Sequence, residues 1–172
     1  MDNLIIFGGR YLVFALPLIL LWLWLRQSEK EKLKLTVAVL TAAVLAYGLA
    51  WLAGQLYFHP RPFVADPSIT PLIAHSNDNG FPSEHVLYAM VITTIIYFYR
   101  RRLAGLAFLI TVIVGVCRVM ADVHSTIDIA AGIALGLTAG LAGYWLTKKF
   151  LVSQPAVESP PAKGHNPTNQ RV

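Results

Sequence analysis

Six residues between positions 61 and 128 are of the types that handle phosphate: Arg61, Ser83, His85, Arg118, His124 and Asp128. An arginine presents a planar fork that matches phosphate oxygens and keeps its charge when partly desolvated. Pro60 and Pro62 flank Arg61, stiffen the backbone and hold the direction of that fork. Pro82 suits the first turn of a helix, which would leave Ser83 and its neighbours with free N–H groups at a positive helix end facing an anion. His124 and Asp128 are four residues apart, so on a helical turn they share a face and the carboxylate can orient the imidazole. A histidine held in this way can serve as a nucleophile.

Each residue also has a plainer use. Ser125 followed by Asp128 fits a helix N-cap with an acid at the third position. Pro82-Ser83 fits an ordinary helix start, and His59 and His75 fit loop histidines without a ligand. Arg10 fits a side chain that snorkels to a membrane interface. Taken singly these signals are weak, and their setting is what gives them weight.

That setting is apolar. The 172 residues are 56% hydrophobic and 13% charged, with a mean hydropathy of +0.57. A soluble domain carries roughly 25% charged residues, and disorder needs the opposite composition, so both are excluded for most of the chain. The single Cys117 excludes a disulfide scaffold and a cysteine-based zinc site. A span needs about 20 mostly apolar residues. Five segments qualify, 4–25, 35–58, 85–99, 103–121 and 127–147, the third being short unless it starts at Pro82. The expected fold is all-α: a polytopic transmembrane helix bundle of about five spans. The first segment is not expected to be a signal peptide, since it has Asp2 in place of a basic leader, too long an apolar run and no small-residue cleavage site.

Charge placement orients the bundle. Arg26, Lys30, Lys32, Lys34, Arg100, Arg101, Arg102, Lys148, Lys149, Lys163 and Arg171 all fall on one side of a five-span topology. The positive-inside rule makes that side the cytoplasm, with the N-terminus outside and the C-terminus cytoplasmic. Clusters of this kind set orientation, so the net charge of +5 does not point to nucleic acid. Arg10, Arg61 and Arg118 remain for the outer side, with the long outer loop (57–81), His85, His124 and Asp128. Ionisable groups at membrane depth are functional candidates. Two small-residue stripes, Ala38, Ala42, Ala46, Ala50 and Gly54, then Gly132, Gly136 and Gly140, predict close helix packing. From Ser153 the chain turns to Ser, Pro, Asn and Gln, which predicts a disordered cytoplasmic tail over 153–172 in which His165 is idle.

Together, Arg61-Pro62, Pro82-Ser83-Glu84-His85 and Arg118 with His124 and Asp128 resemble the three-part signature of the type-2 phosphatidic acid phosphatase superfamily. That pattern runs Lys, six residues, Arg-Pro; then Pro-Ser-Gly-His; then Ser-Arg, five residues, His, three residues, Asp. The His59-Pro60-Arg61-Pro62-Phe63 run and the acidic Glu84 are most similar to bacterial undecaprenyl-diphosphatases of the bacitracin-resistance type. The resemblance covers about 54–128, with the fifth span completing a lipid phosphatase domain over 1–152.

The resemblance implies hydrolysis of a lipid diphosphate through a phosphohistidine, without metal or other cofactor, in the bacterial inner membrane with the site on the periplasmic side. It implies that His124 attacks phosphorus and Asp128 orients it. Arg61, Ser83 and Arg118 would hold the phosphoryl oxygens, and His85 would protonate the leaving group and then activate water. The implied partners are a polyprenyl diphosphate and membrane lipids. Three positions depart from the pattern: Gly54 takes the place of the Lys, Cys117 of the Ser and Glu84 of the Gly. Gln55 or His59 is left as a substitute for the Lys, and Glu84 as a residue that binds water or tunes His85. Phosphatidic acid, phosphatidylglycerophosphate and lipid A remain alternative substrates, and a non-catalytic lipid-phosphate binder or transporter remains an alternative function.

Overall fold

The computed structural model describes residues 1–152, so the tail expected from Ser153 lies outside the described residues. The described chain is helical: α1 (Asp2–Arg10), a 3₁₀ turn (Leu12–Phe14), α2 (Ala15–Leu25), α3 (Glu29–Leu56), α4 (Pro62–Ala65), α5 (Glu84–Tyr99), α6 (Arg101–Met120) and α7 (Thr126–Val152). Among the described residues extended pairing is confined to one isolated bridge, between Pro60 and Asn79.

The first apolar run is broken into α1 and α2. Pro17, near the start of α2, has no N–H for the carbonyl four residues earlier, and the chain tightens there into the 3₁₀ turn. α3 starts six residues before the apolar run expected at 35, because Glu29 and Glu31 suit a helix N-terminus and pair with Lys32 and Lys34 at 2.8 and 2.7 Å.

Among the described residues four stretches are long and apolar enough to cross a membrane: Asp2–Leu25, Glu29–Leu56, Arg101–Met120 and Thr126–Leu151. The remaining expected span, α5, has 16 residues, or about 24 Å of helix against a hydrocarbon core of about 30 Å. Its setting accounts for the shortness. α5 is packed against α2, α3, α6 and α7 and buries most of its surface in protein, so its length need not match the lipid.

Small residues allow this enclosure. A methyl group added at Gly132 would lie 2.8 Å from the Ser83 carbonyl, one at Gly136 would collide with the Leu87 carbonyl, and one at Gly140 would lie 2.6 Å from Thr94 Cβ. α7 therefore lies backbone-close along α5, while Gly143 meets Ala42 and the buried Ala38, Ala42 and Ala46 face the α7 side of α3. The two ends of the bundle differ in charge. At the basic end Lys34 of α3, Tyr99 of α5 and Lys148 of α7 share a cavity of about 420 Å³. At the opposite end, the C-termini of α3 and α6 meet the N-termini of α5 and α7.

Candidate active site

The long loop between α3 and α5 is fastened to that second end by Asn79. Its Nδ2 donates to the Gly54 and Tyr57 carbonyls at 3.1 and 3.0 Å, satisfying the end of α3, and its Oδ1 accepts from the His59 and Phe81 N–H groups at 2.9 and 3.0 Å. Further along, the Leu72 N–H donates to the Ala121 carbonyl at 3.1 Å, and Ile73 packs against Ala121 and Val123. These ties draw His75 and Asp78 over the α6–α7 turn.

Arg61 is buried at the start of α4. Its Nε donates to Asp78 Oδ1 at 2.8 Å and its Nη1 to the Val123 carbonyl at 2.8 Å. Arg118 is buried in the last turn of α6, and its Nη1 donates to the Gly9 carbonyl of α1 at 3.1 Å. That approach requires glycine: a methyl group at Gly8 would collide with Cys117 Sγ, and one at Gly9 would lie 3.0 Å from Ile73 Cδ1. The turn between α6 and α7 carries Asp122 in the left-handed region at φ 58°, a conformation aspartate tolerates better than most residues.

This turn presents His124, 3% exposed. Its Nε2 lies 3.3 Å from Arg61 Nη1 and 3.3 Å from Arg118 Nη2. Guanidinium groups only donate, so Nε2 accepts and the ring proton sits on Nδ1. Nδ1 faces Asp128 Oδ2 at 3.5 Å, longer than an ordinary hydrogen bond. Asp128 is fully buried, its Oδ2 accepting from the Ser125 N–H at 2.7 Å. The capping use and the orienting use of Asp128 are therefore compatible, because one carboxylate at the third position of α7 serves both geometries.

The second motif is placed differently from the expectation. α5 begins at Glu84, so Pro82 precedes the helix and does not form its first turn. Ser83 is the N-cap, and its N–H is already donated to the Asp128 carbonyl at 3.1 Å. The Ser83 hydroxyl is buried and without a partner among the described residues, as is Arg118 Nε. Glu84 and His85 follow in the first turn.

A cavity of about 360 Å³ gathers these groups. Arg61, Arg118, His124, His85, His75 and Asp78 line its polar part, with Glu84, Gly54 and Gln55 at its sides. It extends along α3 past Trp51 and Ala50 to Tyr47. Asp128, Ser83 and His59 are not on its wall. Among the described residues no group of three or more His, Cys, Asp or Glu side chains is placed to hold a metal ion.

The electrostatics follow from two buried guanidinium groups. Burial, reinforced by Arg118 and Arg61, pulls the His124 imidazole below its ordinary value despite the opposing carboxylate of Asp128. Burial and the same two arginines bring His75 down to about 4. Burial works to raise Asp78, but hydrogen bonds from Arg61 and Ser76 outweigh it and keep the carboxylate ionised. The cavity floor is thus cationic, with a neutral imidazole at its centre.

Residues 31–151 match the PAP2 superfamily, well over half of the chain. The chain belongs to the PAP2 superfamily. This PAP2 chain is 31% identical over 114 residues to a Bacillus licheniformis protein named bacitracin transport permease protein BcrC, covering 66% of the chain and 56% of that relative. It is 29% identical over 140 residues to the undecaprenyl-diphosphatase BcrC of Bacillus subtilis, covering 81% of the chain and 72% of the relative. The chain thus spans little more than half the length of the Bacillus licheniformis relative. Its fold is similar to that of the transmembrane PAP2 type phosphatidylglycerolphosphate phosphatase from Bacillus subtilis, with a TM-score of 0.59, 21% identity, and coverage of 86% of this chain and 75% of that one. Membership of the PAP2 superfamily and the long apolar helices make the chain a multi-pass membrane protein.

Sequence reasoning missed three contributors to this PAP2 site. Asp78 holds Arg61; Asn79 clamps the loop; Gly8-Gly9 brings α1 against Arg118. Only the paired glycines carried a sequence signal, as small residues inside an otherwise large-residue apolar run.

Proposed function

We propose that this PAP2 chain hydrolyses undecaprenyl diphosphate to undecaprenyl phosphate and inorganic phosphate, through a phosphohistidine on His124, at the outer leaflet of the bacterial inner membrane. One observation carries the reading: His124 Nε2 stands between two arginine forks, with its other nitrogen toward Asp128.

The terminal phosphoryl group enters between Arg61 and Arg118, whose N–H groups then turn from Nε2 to its oxygens. The Nε2 lone pair attacks phosphorus, the P–N bond forms, and the bond to the undecaprenyl phosphate oxygen breaks. His85 supplies a proton to that leaving oxygen. Asp128 stabilises the positive charge left on the imidazole. In the second step His85 takes a proton from water, the water oxygen bonds to phosphorus, and the P–N bond breaks to release phosphate. Three buried groups have hydrogen-bonding capacity to spare: the Ser83 hydroxyl, which is off the cavity wall, Arg118 Nε, and His124 Nδ1, which faces Asp128. Charge stabilisation by fixed donors is the main form of help a phosphoryl transfer needs.

The lipid character of the substrate is supported by the cavity, which runs from the arginines to Tyr47 and Trp51, exposed residues on a helix of spanning length. A diphosphate in the polar part would leave its chain along that face. The outward direction is supported by the concentration of basic residues at the other end. The polyprenyl identity is supported by the name of the Bacillus subtilis relative.

Purified protein in detergent with excess chelator should release phosphate from undecaprenyl diphosphate, and His124→Ala should not. Preference for phosphatidic acid, phosphatidylglycerophosphate or lipid A in the same assay would replace the substrate. Rescue by magnesium after loss in chelator would overturn the mechanism. Lipid binding without phosphate release would favour a non-catalytic carrier, the sense of the Bacillus licheniformis permease's name.

A further inference from the structure

His59 is not on the cavity wall, and its Nδ1 lies 3.0 Å from Asp128 Oδ1. The two residues are 69 positions apart. The backbone of His59 is fixed twice, by its N–H to Asn79 Oδ1 at 2.9 Å and by its carbonyl, which accepts from the Gly80 N–H at 2.9 Å. Its ring stacks on Tyr57 with centroids 5.7 Å apart and planes 13° apart. The Ser125 hydroxyl lies 3.3 Å from the same Nδ1. The ring is therefore aimed at Asp128 by independent constraints.

A fully buried carboxylate needs donors to each oxygen. At Asp128 the Ser125 N–H serves Oδ2 and His59 serves Oδ1, whereas the approach of His124 is longer, at 3.5 Å. With only Ser125 on Oδ2, the carboxylate is free to rotate about its last bond and its plane relative to His124 is not set. The second donor removes that freedom.

We infer that His59 is a positioning residue: through Nδ1–H it fixes the Asp128 carboxylate so that Oδ2 faces Nδ1 of His124, forming a chain His59–Asp128–His124 in place of a phosphate contact. This rests on the proposed nucleophilic role of His124. Of the two residues left as substitutes for the Lys, only Gln55 lines the cavity.

The test compares wild type, His59→Leu and His59→Asn. The asparagine Nδ2 occupies the place of the histidine Nδ1 and can still donate to Asp128. Groups that orient a metal-ligating histidine cost ~10–100-fold in activity when removed. A loss of at least about tenfold is expected here by the same positioning logic, falling on kcat in His59→Leu with KM within about twofold. His59→Asn should recover most of it. A rise in KM with unchanged kcat would make His59 a phosphate contact and overturn the inference. Equal losses in both variants would do the same, by reducing His59 to packing.

A second readout does not depend on turnover. The chain has five histidines, so with ¹⁵N-labelled imidazoles the His124 signals can be assigned by their loss in His124→Ala. All three proteins should hold His124 as the Nδ1–H tautomer, since both arginines still face Nε2. The Nδ1–H proton shift should match wild type in His59→Asn and move upfield in His59→Leu, where the carboxylate facing Nδ1 is no longer fixed. An unchanged spectrum in His59→Leu would overturn the inference. Wild type that hydrolyses no lipid phosphate, with the Nδ1–H shift in His59→Leu present, would sink the phosphatase reading and leave the coupling standing.

Discussion

Arg61 and Asp78 are joined by a 2.8 Å hydrogen bond from Nε to Oδ1, and the Ser76 hydroxyl donates to the other carboxylate oxygen at 2.8 Å. The arginine side chain is 6% exposed and the aspartate 57%. The partner nearer solvent thus sets the direction of the partner facing His124. Only the aspartate end of the pair is exposed, and without it Arg61 Nη1 keeps the Val123 carbonyl, yet under the proposed mechanism a misplacement of about 1 Å in a phosphate-binding group can cost 10²-fold in rate. Asp78→Ala should therefore lower kcat/KM by at least about tenfold while the thermal midpoint in detergent stays close to wild type. Equal activity would show that the Val123 carbonyl alone holds the fork.

Proton linkage gives a second prediction. Burial and the two arginines depress the His124 imidazole, so it is neutral at neutral pH and gains a proton only on acidification. The acid limb of kcat/KM should therefore lie below the ordinary histidine value of about 6.5. His75, depressed to about 4, is neutral when folded where the unfolded chain would protonate it. Its contribution to stability is complete above about 6.5 and is lost as pH falls toward about 4. The thermal midpoint should fall across that window, less steeply in His75→Gln. A steeper fall in the variant would contradict this.

Gly80 stands at a crossing. A methyl group there would lie 3.2 Å from the His59 carbonyl, 3.3 Å from Arg61 Cγ and 3.3 Å from Asp128 Oδ2. Gly80→Ala must displace at least one of these, and two are backbone or buried carboxylate. Activity should drop more than stability, read as kcat against thermal midpoint. Wild-type kcat would show that the site tolerates movement of Asp128.

Gly54 offers the opposite case. A Cβ there meets the Phe81 carbonyl at 3.4 Å and Asn79 Nδ2 at 3.6 Å, ordinary contact distances, and the position lines the cavity. Gly54→Lys should fold, with a helix propensity gain of up to about 0.8 kcal/mol. It should also lower KM for a lipid phosphate by adding a cation. An increased KM would place the substrate phosphate elsewhere.

The sequence carried the parts of this architecture that are local or periodic. Arg118, His124 and Asp128 fall at one helix end, one turn and the next helix start, so spacing alone placed them together. Gly132, Gly136 and Gly140 mark one face because helical periodicity is fixed by the backbone. The loop contacts are of another kind. Asp78 on Arg61 and His59 on Asp128 join residues 17 and 69 positions apart within or across a segment with no repeat, and nothing in residue type distinguished these acids and imidazoles from solvated ones. The shortness of α5 was visible as a span with an insecure start. Its cause, enclosure by its neighbours, belongs to packing and could not be read from the residues of α5.

The match to the PAP2 superfamily starts at residue 31, after α1 and α2, yet the Gly9 carbonyl of α1 is a hydrogen-bond acceptor for Arg118. The first helical stretch, broken at the 3₁₀ turn, thus reaches into the charge-bearing floor from outside the residues matched by the family. Relatives with the same three motifs can therefore be tuned apart at their front ends: a shift of α1 would re-aim one arginine while every signature residue stayed in place, and catalytic differences would go unseen in any comparison restricted to the motifs.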